Sequence, residues 1–356
     1  MGALGNLGAD VDPRLSKLFG ASLVWDNHGC MPLRPDDEEF LPQLARYRAA
    51  GVDVVSLNVG FDAVPWENTV RMLAHFRSWV VRHCDGYALV ETVADIEAAR
   101  GAGKLAVTFD IEGGGALDGR LEMVRLYYDL GVRWMLFAYN KNNLLGGGCK
   151  DDDCGLTAFG RAVLAEMHRV GMVPCCSHTG YRTTMEVMEL ANGPVIFSHS
   201  NPSAMWPHRR NIGDEAIKAC AATGGVVGIN GIGLFLGHND ASTETIVRHI
   251  DYVAQLVGPR HVGIGLDYVF DQVELENLVR QNPAVFPPAE YGNAPQAFVA
   301  PEQIPEIARE LARLGYDEES LKAILGGNHL RVARQTWRPP ASIRRSPRQT
   351  PSRPRS

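Results

Sequence analysis

Leu105-Ala-Val-Thr-Phe-Asp-Ile-Glu112 is an apolar run that closes on a carboxylate, and seven other runs in the chain share its design. Ser22-Leu-Val-Trp-Asp-Asn-His28, Val173-Pro-Cys-Cys-Ser-His178 and Val195-Ile-Phe-Ser-His199 end in histidine, and His261-Val-Gly-Ile-Gly-Leu-Asp267 ends in aspartate. Val54-Val-Ser-Leu-Asn58, Arg133-Trp-Met-Leu-Phe-Ala-Tyr139 and Val226-Val-Gly-Ile-Asn230 complete the set. Stretches with helical apolar spacing lie between the runs. Eight strand-like runs separated by helical stretches predict an α/β fold of the (β/α)₈ TIM-barrel type. In that fold the C-terminal strand ends converge on one site. Three histidines, a glutamate and an aspartate at five of those ends suit a metal site better than a packed core.

The length of 356 residues exceeds a plain barrel by roughly 100. Long loops over the active face and a tail account for the excess, so no second domain is needed. The reading is an N-terminal lead-in over 1–20, a barrel over 21–337 and a tail over 338–356. That tail carries six arginines, no acids, and otherwise mostly Pro, Ser, Thr and Gln; it has too little apolar surface to fold and is expected to be disordered. Candidate helices include 35–50, 68–83, 158–170, 214–222 and 244–256, and residues 268–300 read as a long excursion over the site. No stretch approaches the ~18 apolar residues of a membrane span, and no basic-then-apolar leader opens the chain. Seven cysteines without framework spacing favour a reducing compartment, and a cytoplasmic location is expected. Cys149 and Cys154 supply only two ligands for a structural zinc clip, where about four are needed.

Zinc accepts imidazole nitrogen and carboxylate oxygen, and two ions about 3.5–4 Å apart share a carboxylate and activate a water between them. His28, Glu112, His178, His199 and Asp267 form a sufficient set, with Glu112 the natural bridge. The motifs Asp26-Asn-His28, Ile111-Glu-Gly-Gly114, Ser177-His178, Val195-Ile-Phe-Ser-His199-Ser, Arg210-Asn-Ile, Gly263-Ile-Gly-Leu-Asp267 and Gly326-Gly-Asn-His-Leu-Arg-Val332 resemble those of the membrane (renal) dipeptidase family. Order and spacing agree from about Val24 to Val332. The resemblance implies a zinc dipeptidase of broad specificity, accepting D-residues or glycine at the C-terminal side. It implies one zinc on His28, Glu112 and Asp267 and a second on His178 and His199, bridged by Glu112. It also implies Arg210 as a clamp for the substrate carboxylate, Asp267 as proton shuttle, and a homodimer.

Two positions depart from the family pattern. Where the family has His-x-Asp, this chain has His28-Gly-Cys30. A thiolate also binds zinc, so Cys30 is expected as a ligand, with two zincs per chain, or one if it does not ligate. At the fourth strand a carbonyl-polarising histidine is replaced by Tyr139, whose phenol can donate to an oxyanion; Tyr139 and Asn140 are expected on the substrate side. Two rival readings remain: a metal-dependent amidohydrolase acting on a non-peptide amide, and a non-catalytic barrel holding one zinc. The partner expected is a small dipeptide, with no nucleic acid.

Overall fold

Side chains alternate across a strand, and the run at 105–112 uses that alternation to separate core from chemistry. Val107, Phe109 and Ile111 enter the large apolar layer with Phe76, Trp79 and Tyr127, whereas Ala106 packs with Trp25 and Val54. Asp110 and Glu112 continue the Ala106 face, and both are buried. The computed structural model describes residues 18–283, 286–292 and 295–339. The lead-in before residue 18 and the arginine-rich tail from residue 340 lie outside the described residues.

Nine strands form one sheet: β1 (Trp25–Cys30), β2 (Val54–Phe61), β3 (Tyr87–Leu89), β4 (Leu105–Glu112), β5 (Val132–Leu136), β6 (Val173–Cys175), β7 (Val227–Ile229), β8 (Val262–Ile264) and β9 (Tyr268–Val269). The order is β6-β5-β4-β2-β1-β8-β7, and every strand pair is parallel. Parallel bridges from Cys175 to Ile196 and from Phe197 to Val227 close the ring through the run at 195–199. The predicted barrel is therefore present, with all eight expected runs as its staves. β3 is an addition, pairing with the lower half of β4, and β9 extends the upper end of β1 at Gly29 and Cys30.

Helices cover the outside, and local signals fix several of their ends. Thr92 and Asp95 form a reciprocal capping box for Val93–Gly101, satisfying amides that the first turn leaves free. Thr157 caps Ala158–Val170, which stops at Gly171 with φ +96°, a conformation that suits glycine. The helix expected over 35–50 is confined to a 3₁₀ turn at Leu41–Leu44 and Ala45–Ala49. The acids before it are used otherwise: Arg34 pairs with Asp37 at 2.7 Å and with Asp271 at 3.0 Å. This ties the segment after β1 to the excursion after β9.

A helix absent from the sequence reading, Asn328–Thr336, closes the barrel floor. Ala333 packs with Trp25 and Val54, and Val332 with Trp134 and Val173. Asn328 Nδ2 donates to the carbonyls of Pro259 at 2.8 Å and Val262 at 2.7 Å.

The barrel is narrow where β7 and β8 pass the Ser198 carbonyl. A Cβ on Gly228 would lie 2.2 Å from that oxygen, and one on Gly265 would lie 1.9 Å from it. Gly265→Ala should therefore cost about 1–3 kcal/mol through overpacking, lowering the midpoint of denaturant unfolding. Gly101→Ala, at an exposed helix end with nothing within 4 Å, should leave the midpoint unchanged or slightly higher.

Candidate metal centre

Two strands, two turns just past strand ends and the closing segment deliver the polar cluster at the upper end. β1 places His28 and Cys30 two residues apart on one face, so that Cys30 Sγ stands 3.4 Å from His28 Nε2. β4 supplies Asp110 and, two residues on, Glu112. Just beyond β6 the chain turns through His178 at φ +61°, and beyond β8 through Asp267 at φ +57°. Such left-handed conformations cost roughly 1–3 kcal/mol for residues with a side chain and collect at functional sites. Backbone bonds hold both turns: the Cys149 N–H donates to the His178 carbonyl at 2.9 Å, and the Asp267 N–H to the His28 carbonyl at 2.9 Å. His199 follows the closing segment, its ring stacked on His28 at 4.1 Å.

The three histidines present the same nitrogen to one carboxylate oxygen. Nε2 of His199, His178 and His28 lie 3.2, 3.3 and 3.6 Å from Glu112 Oε1. That oxygen is buried and has no hydrogen-bond partner. Two of the opposite nitrogens are hydrogen-bonded, His178 Nδ1 to Asn140 Oδ1 at 2.8 Å and His199 Nδ1 to Ser198 Oγ at 2.8 Å, while His28 Nδ1 lies 3.2 Å from Asp110 Oδ1. An amide oxygen only accepts, so His178 carries its proton at Nδ1 and aims its Nε2 lone pair inward. His178 Nε2 and His199 Nε2 are 3.0 Å apart. Lone pairs converging on an unpartnered carboxylate oxygen fit a cation. A second set, His28, Cys30 and Asp267, adjoins the first, with Cys30 Sγ 3.3 Å and His28 Nε2 3.4 Å from Asp267 Oδ1.

Burial, reinforced by Arg210 and His28, holds His178 and His199 well below the usual imidazole range, in the neutral form that ligates metals. For His28 burial acts downward, but Cys30, Asp110 and Glu112 together outweigh it and raise the group. Burial pushes the Glu112 carboxyl up to about 8, with Asp267 and Asp110 adding to the rise against His28. His178 and His199, held neutral, thus face a carboxyl whose ionised form burial disfavours, and a cation among them would favour that ionised, ligating form.

The remaining predicted residues fall in different places. Tyr139 stacks on His178 at 4.1 Å and lines the cleft with Glu112, His178 and Asp267. Asn140, expected to contact substrate, is fully buried at φ +63° with its Oδ1 on His178 Nδ1, and it is not among the residues that line the cleft. Arg210 is buried beneath the site, with Nη1 on Ser200 Oγ at 3.1 Å and Nη2 on the His199 carbonyl at 2.7 Å. Its Nε has no partner. Cys149 bonds Asn140 and Cys154 is exposed, and neither enters a potential ligand group among the described residues. Asp110 was missed, although alternation places it on the Glu112 face. Ser56 Oγ donates to it at 2.6 Å and Asn58 Nδ2 at 3.2 Å. Asn230, at the end of the seventh run, donates to Asp267 Oδ2 at 2.8 Å.

Residues 43–281 match the membrane dipeptidase family, peptidase family M19. The chain belongs to that family. It is 31% identical over 279 residues to an uncharacterised Klebsiella pneumoniae protein encoded in the pqqA 5′ region, covering 75% of this chain and 95% of the relative. It is 28% identical over 276 residues to Dipeptidase 3 of Mus musculus, covering 75% of this chain and 52% of the mouse protein; the match thus spans about half of that relative. An amidohydrolase from Pseudomonas aeruginosa superposes with a TM-score of 0.82 at 26% identity, over 91% of this chain and 99% of the other. Among the described residues no helix is long and apolar enough to cross a membrane.

Asp110 lies 3.2 Å from His28 Nδ1, where a carboxylate would support a metal-binding histidine, and loss of such support commonly weakens metal binding 10–100-fold. Asp110→Asn should lower zinc affinity by about that factor in chelator competition, with the circular dichroism spectrum unchanged. Unaltered affinity would remove Asp110 from the supporting role.

Proposed function

We propose that the chain is a zinc-dependent dipeptidase with two metal positions, His28, Cys30 and Asp267 on one side and His178 and His199 on the other, with Glu112 between them. The observation that carries this reading is the convergence of three imidazole Nε2 atoms on the unpartnered Glu112 Oε1 in a member of the membrane dipeptidase family. Cys30 replaces the family's usual carboxylate. It is proposed as a ligand because its sulfur sits within 3.4 Å of both His28 Nε2 and Asp267 Oδ1.

A zinc pair held by these donors supplies hydroxide near neutral pH and polarises a carbonyl oxygen. The residues divide the other tasks. Asp267 lies at the cleft with Oδ2 held by Asn230, placed to take the proton of the attacking water and deliver it to the leaving amine. Burial, with Glu112 and Tyr291 nearby, raises the Tyr139 phenol well above its usual range, so it remains protonated and can donate to the developing oxyanion. The Nε of Arg210 is a donor in reserve for the substrate carboxylate. A small peptide with a free C-terminus suits this set, including one with a D-residue or glycine at that end.

Elemental analysis after zinc reconstitution and desalting should give about two zincs per chain and about one in Cys30→Ala; one in both proteins would mean that Cys30 does not ligate. Glu112→Gln and His199→Ala should each lower kcat on a dipeptide by at least ~100-fold. Wild-type turnover in either variant would sink the mechanism. Arg210→Ala should raise KM for dipeptides while leaving hydrolysis of an amide without a carboxylate nearly unchanged.

A further inference from the structure

The cleft above the metal donors is one-sided in its chemistry. It encloses about 250 Å³, near the lower end of the ~300–1,000 Å³ typical of ligand pockets. At its inner end are Cys30, Glu112, His178 and Asp267; much of the rest is apolar, including Met31, Leu33, Phe61, Ile232, Leu278 and Phe286. No lysine or arginine is among its lining residues, and its one histidine, His178, is held neutral by burial. The two acids on its outer rim, Asp271 and Glu274, are already paired with Arg34 at 3.0 and 2.7 Å.

The apolar wall facing the metal donors comes from the excursion after β9, the segment through Gln272–Gln281 and Pro288–Tyr291. Phe286 and Tyr291 pack edge to face at 5.2 Å, and this pair joins Ile232 and Phe235 in one buried cluster flanked by Leu278 and Val279. Polar contacts pin the segment from behind. Lys150 Nζ donates to the Tyr291 hydroxyl at 2.7 Å and pairs with Glu290 at 3.4 Å, and Arg209 reaches Glu290 at 3.6 Å. Lys150 and Arg209 are thus engaged by Tyr291 and Glu290, and neither is among the residues that line the cleft.

We propose that this wall is a specificity subsite that selects dipeptides bearing a bulky apolar side chain and rejects those bearing an acidic one. The proposal rests on the dipeptidase reading above and goes beyond it by naming the substrate class. A leucine or phenylalanine side chain in the cleft leaves water for an apolar wall. A carboxylate in the same place loses its hydration beside a mostly apolar wall whose polar members, Tyr139, Tyr291 and Gln296, carry no charge.

The test uses the zinc-loaded full chain and matched dipeptides: Ala-Ala, Leu-Ala, Phe-Ala, Glu-Ala, Ala-Leu, Ala-Phe and Ala-Glu. A single apolar pocket discriminates by roughly 10–200-fold. At one of the two positions, kcat/KM for the Leu and Phe members should exceed the Glu member by at least about 30-fold and the Ala member by about tenfold. Leu278→Lys should shrink the Leu-to-Glu ratio at that position by about tenfold or more. Val273→Lys, on the exposed side of the same helix, should leave the ratio as in the parent and shows that the segment tolerates the charge. Hydrolysis of Ala-Ala without an apolar preference, or equal turnover of Glu members, would overturn the subsite and leave the dipeptidase reading standing. An unchanged ratio in a folded Leu278→Lys protein would also overturn it. Silence on every dipeptide by a zinc-loaded protein would overturn the dipeptidase reading, and the subsite with it.

Discussion

Glu112 Oε1 is the atom on which the upper half of the barrel depends. Three imidazole nitrogens aim at it from three different staves, and it accepts no hydrogen bond. In the absence of a cation this arrangement leaves lone pairs facing a buried carboxylate and one another, which disfavours the folded state. Much of the surrounding structure holds these groups in place despite that cost. Ser198, Asp110 and Asn140 fix the far side of each ring, and the glycines of β7 and β8 make room for the Ser198 carbonyl just before His199. Metal binding and the order of the barrel top are therefore linked in one free energy.

The same requirement explains where the backbone leaves common conformations. His178, Asp267 and Asn140 all adopt positive φ, and all three belong to the cluster or hold it. Strands alone would carry their side chains onward along the barrel axis; a left-handed residue just past a strand turns its side chain back across the mouth. The local cost is met by packing elsewhere, above all by the floor helix Asn328–Thr336 and the apolar layer between strands and helices. The division matches the barrel rule that stability resides at one end and chemistry at the other.

Much of this was legible because each stave ends abruptly in a polar residue, so apolar runs mark both the strand and its functional end. β3 was not legible: Tyr87-Ala-Leu89 is three residues long and becomes a strand only by pairing with β4. Asn328-His-Leu-Arg-Val-Ala-Arg-Gln-Thr336 looks polar, yet its asparagine caps two carbonyls and its small residues plug the floor, a role that only the tertiary structure assigns. At the site, His28, Glu112, His178, His199 and Asp267 were read as terminal residues of their runs. Asp110 escaped because it sits one alternation earlier. Asn140 was read for the substrate side, and its bond to His178 Nδ1 could not be read from the sequence, since it depends on how the segment after Tyr139 folds back.

Cys30 is one of the two positions read as departing from the family pattern, and its surroundings state what a ligand there requires. Burial, with Asp267 beside it, drives the thiol well above its usual range, so a thiolate forms at neutral pH only when a cation compensates it. With Cys30 as a ligand, filling this position releases a proton and becomes more favourable as pH rises, more steeply than a carboxylate would make it. Thiolate is also softer than carboxylate, favouring zinc over magnesium or manganese at the position it shares with His28 and Asp267. As a ligand, Cys30 would tie occupancy of half the site to both metal identity and pH, whereas His178 and His199, held neutral by burial, would add no proton release of their own.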